Sequence, residues 1–167
     1  MIFLAFSIIK LLIVISLINF FMPNSVPFRS ICPVATSLDI IGDKWTLLIL
    51  RDMIWGHKTL FNEFQQSPES MPSKMLANRL KKLEELGFVS KRKGNLNKKS
   101  VYYLLEKRGL DTFPIMVEMA IFSSKHFFDH LGTTYTKEAR TTMKTDRQGY
   151  ISELVTNYKK FKRNLVI

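Results

Sequence analysis

The chain has 167 residues, 46% of them hydrophobic, and 25 lysines and arginines against 14 acidic residues give it a net charge of +11. This length suits one globular domain with an appendage at either end, and the composition excludes long disordered stretches. A charge of this size favours a polyanionic partner, either nucleic acid or an acidic membrane surface. The single cysteine, Cys32, excludes a disulfide within the chain and suits a reducing cytoplasm.

The first 21 residues, MIFLAFSIIKLLIVISLINFF, are apolar apart from Ser7, Lys10, Ser16 and Asn19. Their length would allow them to cross a bilayer, and the basic sequence after them favours a cytoplasmic C-terminal side. They lack the basic start and the small-residue cleavage site of a signal peptide. Three interpretations stay open: a membrane anchor, a buried helix, or a start-site artefact with Met22 as the true first residue.

Residues 30–66 predict three short helices, because apolar residues recur there at helical spacing. Gly42 ends the first helix, and Asp43 is the predicted N-cap of the second, which ends at Gly56. A third, shorter helix begins near Thr59. The apolar positions, helix by helix, are Val34, Leu38 and Ile41; Trp45, Leu48, Ile49 and Met53; and Leu60, Phe61 and Phe64.

A fourth helix is predicted over residues 73–86, after the turn-rich sequence SPESMP. Ser70 or Met71 is its predicted N-cap, with Pro72 in the first turn. Three leucines at i, i+4 and i+7 must face a core, and Gly87 ends the helix. The leucines are Leu76, Leu80 and Leu83, and the opposite side of the helix holds Lys74, Asn78, Lys81 and Glu85.

A β-hairpin follows this helix. Residues 88–93 and 100–105 have strand character, and the sequence GNLNKK between them is typical of a hairpin tip. From Lys74 to Arg108, eleven basic residues stand against three acidic ones, a local net charge of +8. After Gly109 comes a long apolar-periodic segment, and a last helix, which ends in the basic sequence KKFKR, is predicted over residues 148–161.

Three helices, a two-stranded hairpin and a further helix form the order of a winged helix-turn-helix. A helix about 10–12 Å across fits the DNA major groove, which is about 12 Å wide. Lys74 and Lys81 would then meet phosphates, whereas Asn78 could pair with an adenine edge. The hairpin tip would bring Lys98 and Lys99 to the neighbouring backbone or minor groove. The alternative is a solvated basic face without a ligand.

Four further motifs stand out: CPV at residues 32–34, DIIGDKWTLLILRD at 39–52, MPSKMLANRLKKLEELGFV at 71–89 and YLLEKRG at 103–109. Through these motifs the sequence resembles the HxlR-type winged helix-turn-helix transcriptional regulators over residues 32–128. It implies a mainly α fold with a small β-hairpin and additional N- and C-terminal dimerisation helices. The domains would be the apolar segment 1–21, a DNA-binding domain over 30–131 and a basic, partly helical extension over 132–167.

The resemblance implies a homodimeric regulator, a repressor, that binds double-stranded DNA at a two-fold operator in the cytoplasm. Its implied DNA-binding residues are Ser73, Lys74, Asn78, Lys81, Lys82, Lys98 and Lys99. It also implies that Cys32 senses electrophiles or oxidants; the alternative for Cys32 is a small apolar residue packed at an interface. Two departures from the family are NKKS before the second strand, which lacks an arginine, and Glu106, where the family has threonine.

No catalytic constellation is recognisable: there is no phosphate-binding glycine loop, no Ser/His/Asp order and no Cys/His cluster, so no enzyme and no cofactor are expected. His126 and His130 have metal-ligand spacing, but without further ligands they are interpreted as surface residues. Two other functions stay open. One is a membrane-tethered adaptor that binds anionic lipid or protein, if residues 1–21 are an anchor, and the other is non-specific nucleic-acid binding.

Overall fold

The computed structural model of the chain describes residues 28–94, 99–131 and 137–165. The chain divides into two compact units, Met1–Ile40 and Ile41–Ile167. The described part of the first unit holds helix α1 (Pro33–Ile41), whose last residue belongs to the second unit. The apolar segment 1–21 lies outside the described residues. Within the described ranges, every helix is too short or too polar to cross a bilayer.

The second unit contains helices before and after a two-stranded antiparallel sheet. In chain order these are α2 (Lys44–Gly56), α3 (Phe61–Gln65), α4 (Ser73–Glu85), β1 (Val89–Lys93), β2 (Val101–Leu105), α5 (Lys107–Leu110), α6 (Phe113–His126), a 3-10 turn (Phe128–His130), α7 (Lys137–Thr145) and α8 (Arg147–Asn164). This order confirms the predicted mainly α fold with a small hairpin. We call residues 89–105 the wing.

One apolar core joins α2, α3, α4, the wing and α6. The predicted leucines of α4 face it: Leu76 and Leu80 are fully buried and Leu83 is 1% exposed. Helix α4 packs on α2, α3 and β1. The other side chains that are completely enclosed are Ile49, Leu50, Met53, Phe64, Leu104, Leu105, Phe113, Val117 and Tyr158.

The two helix starts that the sequence predicts most specifically have opposite outcomes. Asp43 caps α2 as predicted, accepting hydrogen bonds from the backbone N–H groups of Trp45 and Thr46. The predicted cap of α4 is wrong. Pro72 occupies the N-cap position with extended backbone, whereas Ser70 adopts φ +50° and its N–H donates to Ser67 O at 3.0 Å. Ser70 therefore closes the preceding turn, and α4 begins without a side-chain cap.

The base of the wing is held on both sides. Val89 pairs with Leu105 and Lys93 with Val101 along β1 and β2. On the outer edge of β2, Tyr103 N–H donates to Thr59 O at 2.8 Å, which ties the wing to the loop before α3. The wing therefore has a fixed position relative to α4.

The C-terminal helices are part of the second unit. The predicted helix over residues 148–161 lies within α8, which contacts α2, α6 and α7. Met143 and Ile151 are buried, and Tyr158 is completely enclosed against the Phe113 ring. The Tyr158 hydroxyl accepts a hydrogen bond from Leu105 N–H at 2.9 Å, so that α8 satisfies a backbone group of β2.

Candidate DNA interface

The outer face of α4 is a line of polar side chains. Lys74, Asn78 and Lys81 are all exposed, at spacings of four and three residues that keep them on one side of the helix. Lys81 makes only an exposed i,i+4 contact with Glu85, at 3.6 Å. Over seven residues this line is about 10 Å long. The face predicted from the sequence is thus present, opposite the buried leucines.

The other predicted contact residues border this line. Ser73 is exposed in the first turn of α4, and its Oγ accepts a hydrogen bond from Gln65 Nε2 at 2.6 Å. Lys82 is half-buried, and Lys99 is exposed at the start of the segment that leads into β2. Lys98 lies outside the described residues.

An ion pair that the sequence did not indicate fixes α4 against α2. Arg79 Nε lies 2.6 Å from Asp43 Oδ2, the carboxylate that also caps α2. Burial alone would raise the pKa of Asp43, but hydrogen bonds from Thr46 and Arg79 outweigh it and lower the pKa. The one carboxylate therefore joins the start of α2 to the middle of α4.

A second polar cluster holds the turn before α4. Asp52 is buried and receives Lys58 Nζ at 2.9 Å and Arg51 Nη2 at 2.7 Å, together with the Ser67 hydroxyl. Arg51 also binds Glu69, and this hydrogen bond lowers the pKa of Glu69. Because each buried charge has a partner, the cluster fixes the connection between α3 and α4 without an unpaired ion.

The wing adds positive charge on both of its faces. Lys91 and Arg92 are exposed neighbours on β1, so their side chains alternate between the two faces of the hairpin. Lys91 Nζ lies 2.5 Å from Glu84 Oε2 on α4 and 5.7 Å from the centre of the Tyr103 ring. The sequence-based list of contact residues omitted Lys91, Arg92 and the exposed Lys93, although the run KRK in a predicted strand was a usable signal.

Glu106, the departure from the family pattern, has a different role from a capping threonine. It occupies the N-cap position of α5 but makes no side-chain cap hydrogen bond. Instead its Oε1 accepts from Ser90 Oγ at 2.6 Å and from Lys162 Nζ at 2.9 Å. Burial works to raise the pKa of Glu106, but these two donors together lower it. Glu106 thus links the wing to α8.

Cys32 is exposed immediately before α1. Its N–H donates to Ser30 Oγ at 3.2 Å, and its carbonyl accepts the Thr36 N–H at 2.9 Å. Arg29, three residues before Cys32 in the sequence, is paired with Asp39. The N-terminus of α1, the positive end of the helix dipole, therefore lies beside Cys32.

His126 ends α6 and His130 lies in the 3-10 turn, and both are exposed. No group of three or more potential metal ligands occurs in residues 28–94, 99–131 and 137–165.

Comparisons with known proteins agree with this geometry. A profile described as HxlR-like helix-turn-helix matches residues 40–130. The HTH-type transcriptional regulator YybR of Bacillus subtilis is 35% identical over 96 residues, which cover 58% of this chain and 76% of YybR. YdeP, an HTH-type transcriptional regulator of the same organism, is 34% identical over 95 residues, covering 57% of this chain and 73% of YdeP.

Two solved structures are similar in fold. The crystal structure of PA1607 has a TM-score of 0.57 at 33% identity, covering 64% of this chain and 73% of that one. The redox regulator HypR in its oxidized form has a TM-score of 0.51 at 31% identity, covering 57% of this chain and 97% of HypR. Both curated relatives are HTH-type transcriptional regulators. The chain belongs to the HxlR-like helix-turn-helix family of transcription regulators.

Proposed function

We propose that the protein is a homodimeric repressor that binds a two-fold DNA operator through α4 and the wing. The observation that carries this proposal is the exposed line of Lys74, Asn78 and Lys81 on a helix whose opposite face is locked into the core. The DNA-binding domain comprises residues 30–131, with 132–167 as a basic extension. Binding to chromosomal DNA would place the protein in the cytoplasm.

Each side chain on α4 has a role that follows from its chemistry. Lys74 and Lys81 bind phosphates as point charges, and the amide of Asn78 donates and accepts a hydrogen bond at an adenine edge in the major groove. Ser73 and Lys82 would bind the flanking phosphates. A line about 10 Å long spans about three base pairs, because successive nucleotides on one strand rise by about 3.4 Å.

The wing would contact the DNA next to the major-groove site. Lys99 is exposed in the described part of the wing, and Lys98 precedes it in sequence. Lys93 adds an exposed charge on β1. The lysines act as phosphate contacts here, because NKKS before β2 lacks an arginine, the side chain that a narrow minor groove attracts.

The dimer is proposed from apolar side chains left uncovered. On α6, Ile115, Met119 and Phe122 are 42%, 44% and 58% exposed, at i, i+4 and i+7. In the first unit, α1 exposes Val34 and Leu38. Exposed apolar side chains on one face of a helix mark an interaction surface, and a second protomer would cover each of these two faces. Two-fold symmetry would then place the two α4 helices about one DNA turn, about 34–36 Å, apart.

Repression and its control are the remaining parts of the proposal. A dimer bound across a promoter blocks polymerase by occupancy alone, so repression needs no further surface. Cys32 would make the repressor responsive to oxidants or electrophiles. Its support is the exposed thiol at a helix N-terminus, together with the similarity to a redox regulator at 31% identity.

The test of the proposed function is a triple substitution on α4. Replacing Lys74, Asn78 and Lys81 with alanine should weaken operator binding at least about 100-fold, because one lost bidentate base contact alone costs about 1–3 kcal/mol. The measurement is fluorescence anisotropy with an operator duplex selected by the wild-type protein, in competition with random DNA.

A matched control removes the same kinds of side chain elsewhere. Lys144, Asn157 and Lys160 are exposed on α7 and α8. Their replacement with alanine removes the same net charge and should change operator affinity less than about threefold. If the two triple variants lose the same operator affinity, binding depends on net charge rather than on α4. If the α4 variant binds the operator as tightly as the wild type, α4 is not the DNA-binding helix.

A further inference from the structure

A basic cleft lies between the wing and the last helix. Its volume is about 580 Å³, and it is lined by Arg92, Thr156, Lys159, Lys162, Arg163 and Leu165. Four of these six residues are basic and none is acidic. Three of the four basic residues belong to α8, which begins after the 40–130 region matched by the family profile.

The cleft is built on a fixed scaffold. Besides Tyr158, Lys162 of α8 holds the end of β2: its Nζ lies 2.8 Å from Leu105 O and 2.9 Å from Glu106 Oε1. At the preceding position, the Phe161 ring stacks on the ring of His57, with centroids 4.5 Å apart and an angle of 7°. Since α8 is attached to α2 and β2, its basic side chains keep a constant position beside the wing.

The basic side chains of the cleft differ in whether an acidic side chain already neutralises their charge. Lys162 is paired with Glu106, and Glu106 also acts electrostatically on Arg92. Lys159 and Arg163 are exposed, and neither forms an ion pair within the part of the chain that the structure describes. Two cations on adjacent turns of α8 are therefore available to an anion from outside.

The pairing register of β1 and β2 determines on which face of the wing the cleft lies. Lys91 pairs with Tyr103 and reaches Glu84 on α4, so that face of the wing points toward the recognition helix. Ser90 and Arg92 lie on the opposite face, where Ser90 contacts Glu106. The cleft is thus on the side of the wing that faces away from α4.

We propose that Lys159 and Arg163, with Arg92, bind phosphates of the DNA that flanks the operator, beyond the wing. This inference rests on the proposed function, because a wing that contacts DNA beside α4 brings the next phosphates of the same duplex to its outer face. The ligand is the phosphodiester backbone, and binding here is independent of base sequence. The arginine guanidiniums suit bidentate contact with phosphate oxygens.

The experiment compares two duplexes and two double variants of the full chain. One duplex, selected from a random library by the wild-type protein, contains only the two half-sites, about 20 base pairs, and the other extends it to about 40 base pairs. Affinity is measured by anisotropy over a series of KCl concentrations. The variants are Lys159→Ala with Arg163→Ala, and the control Lys144→Ala with Lys160→Ala, which removes the same charge outside the cleft lining.

On the long duplex, the cleft variant should lower the slope of log affinity against log salt by about 2 for each bound protomer, since each phosphate contact contributes about 0.9. On the short duplex it should bind like the wild type, and the control should match the wild type on both. Thermal melting followed by circular dichroism verifies that the variants fold. Because Lys159 and Arg163 are exposed, their replacement should leave the melting temperature unchanged.

The outcomes separate the two proposals. If the wild type binds the short duplex specifically and the cleft variant keeps the full slope on the long one, the cleft inference is overturned while the proposed function stands. If the wild type selects no sequence from the library, the proposed function itself fails. Loss of binding to phosphatidylserine vesicles in the cleft variant, with DNA binding unchanged, would also overturn the inference in favour of a membrane surface.

Discussion

Cys32 is exposed immediately before α1 and is the single thiol of the chain. Arg29, three residues upstream, is bound to Asp39. The positive end of the α1 dipole remains beside the thiol. Because the chain has one cysteine, a disulfide at Cys32 must form with a second molecule, either another protomer or a small thiol.

Oxidation of Cys32 is predicted to change operator affinity. Treatment with diamide, which takes two electrons and two protons from a pair of thiols, should give a species that reducing agent converts back. We expect a shift of at least about fivefold in affinity, reversed by dithiothreitol, because a coupling of about 1 kcal/mol is typical between two linked sites.

The matched variant is Cys32→Ser, which should bind DNA like the reduced wild type and ignore diamide. Mass spectrometry verifies that Cys32 is modified in the wild type. If Cys32 is fully modified and the operator affinity does not change, Cys32 does not regulate DNA binding.

Contacts between residues that are far apart in the sequence cannot be predicted from a local sequence pattern. The leucines of α4 follow from helical periodicity alone, since a residue's face depends only on its own helix. The hydrogen bond of Lys162 to Glu106 joins residues 56 positions apart, and nothing local to either residue indicates it. Glu106 could therefore be recognised from the sequence as a departure from the family's threonine, but its partner Lys162 could not.

Among the elements, α2 depends on one carboxylate for both its start and its contact with α4. Replacing Asp43 with alanine should lower the free energy of unfolding by about 1–2 kcal/mol at neutral pH, through the lost N-cap. Chemical denaturation in urea measures the change.

Asp43→Asn separates the cap from the ion pair. Asparagine keeps one of the two acceptor oxygens and so retains part of the cap, and this variant should lose less stability than Asp43→Ala, with the partly exposed ion pair contributing less than about 1 kcal/mol. If both variants lose the same amount, the Arg79 contact rather than the cap stabilises α2.

The pH dependence of the alanine variant has a definite sign. The pKa of Asp43 is lowered below its ordinary 3.8 in the folded protein, so the ionised carboxylate stabilises the fold fully above that value. This stability is lost as the pH falls through the lower, folded-state pKa. The difference between wild type and Asp43→Ala should therefore shrink as the pH falls below about 3.8.

The helix starts show where local rules succeed and where they fail. Asp43 obeys the N-cap preference because its side chain has the two free N–H groups of α2 within reach. At α4, proline takes the cap position and Ser70 is used by the preceding turn. A choice among Ser70, Met71 and Pro72 depended on the backbone of that turn, which periodicity does not determine.

For the whole molecule, the order of elements and the basic face were predictable because they depend on periodicity, turn residues and charge. The attachment of α8 was not. Its helical pattern was visible, but which surface Tyr158 enters depends on a hydrogen bond to Leu105, 53 residues away. The sequence thus predicted α4 and the wing as structural elements, and it left the basic cleft beside the wing undetected.

The central claim is that the exposed line on α4 enters the DNA major groove in each half of a dimer. A Cys32→Ser background removes the one native thiol, so that Ala77→Cys, exposed on α4 between Lys74 and Lys81, can carry an iron chelate that cleaves nearby DNA without removing a proposed contact residue. The same label at Lys144→Cys serves as the control. We expect two cleavage clusters in the operator, about 10 base pairs apart, centred on the major groove. Cleavage that is absent, or no stronger than from the control position, would contradict it.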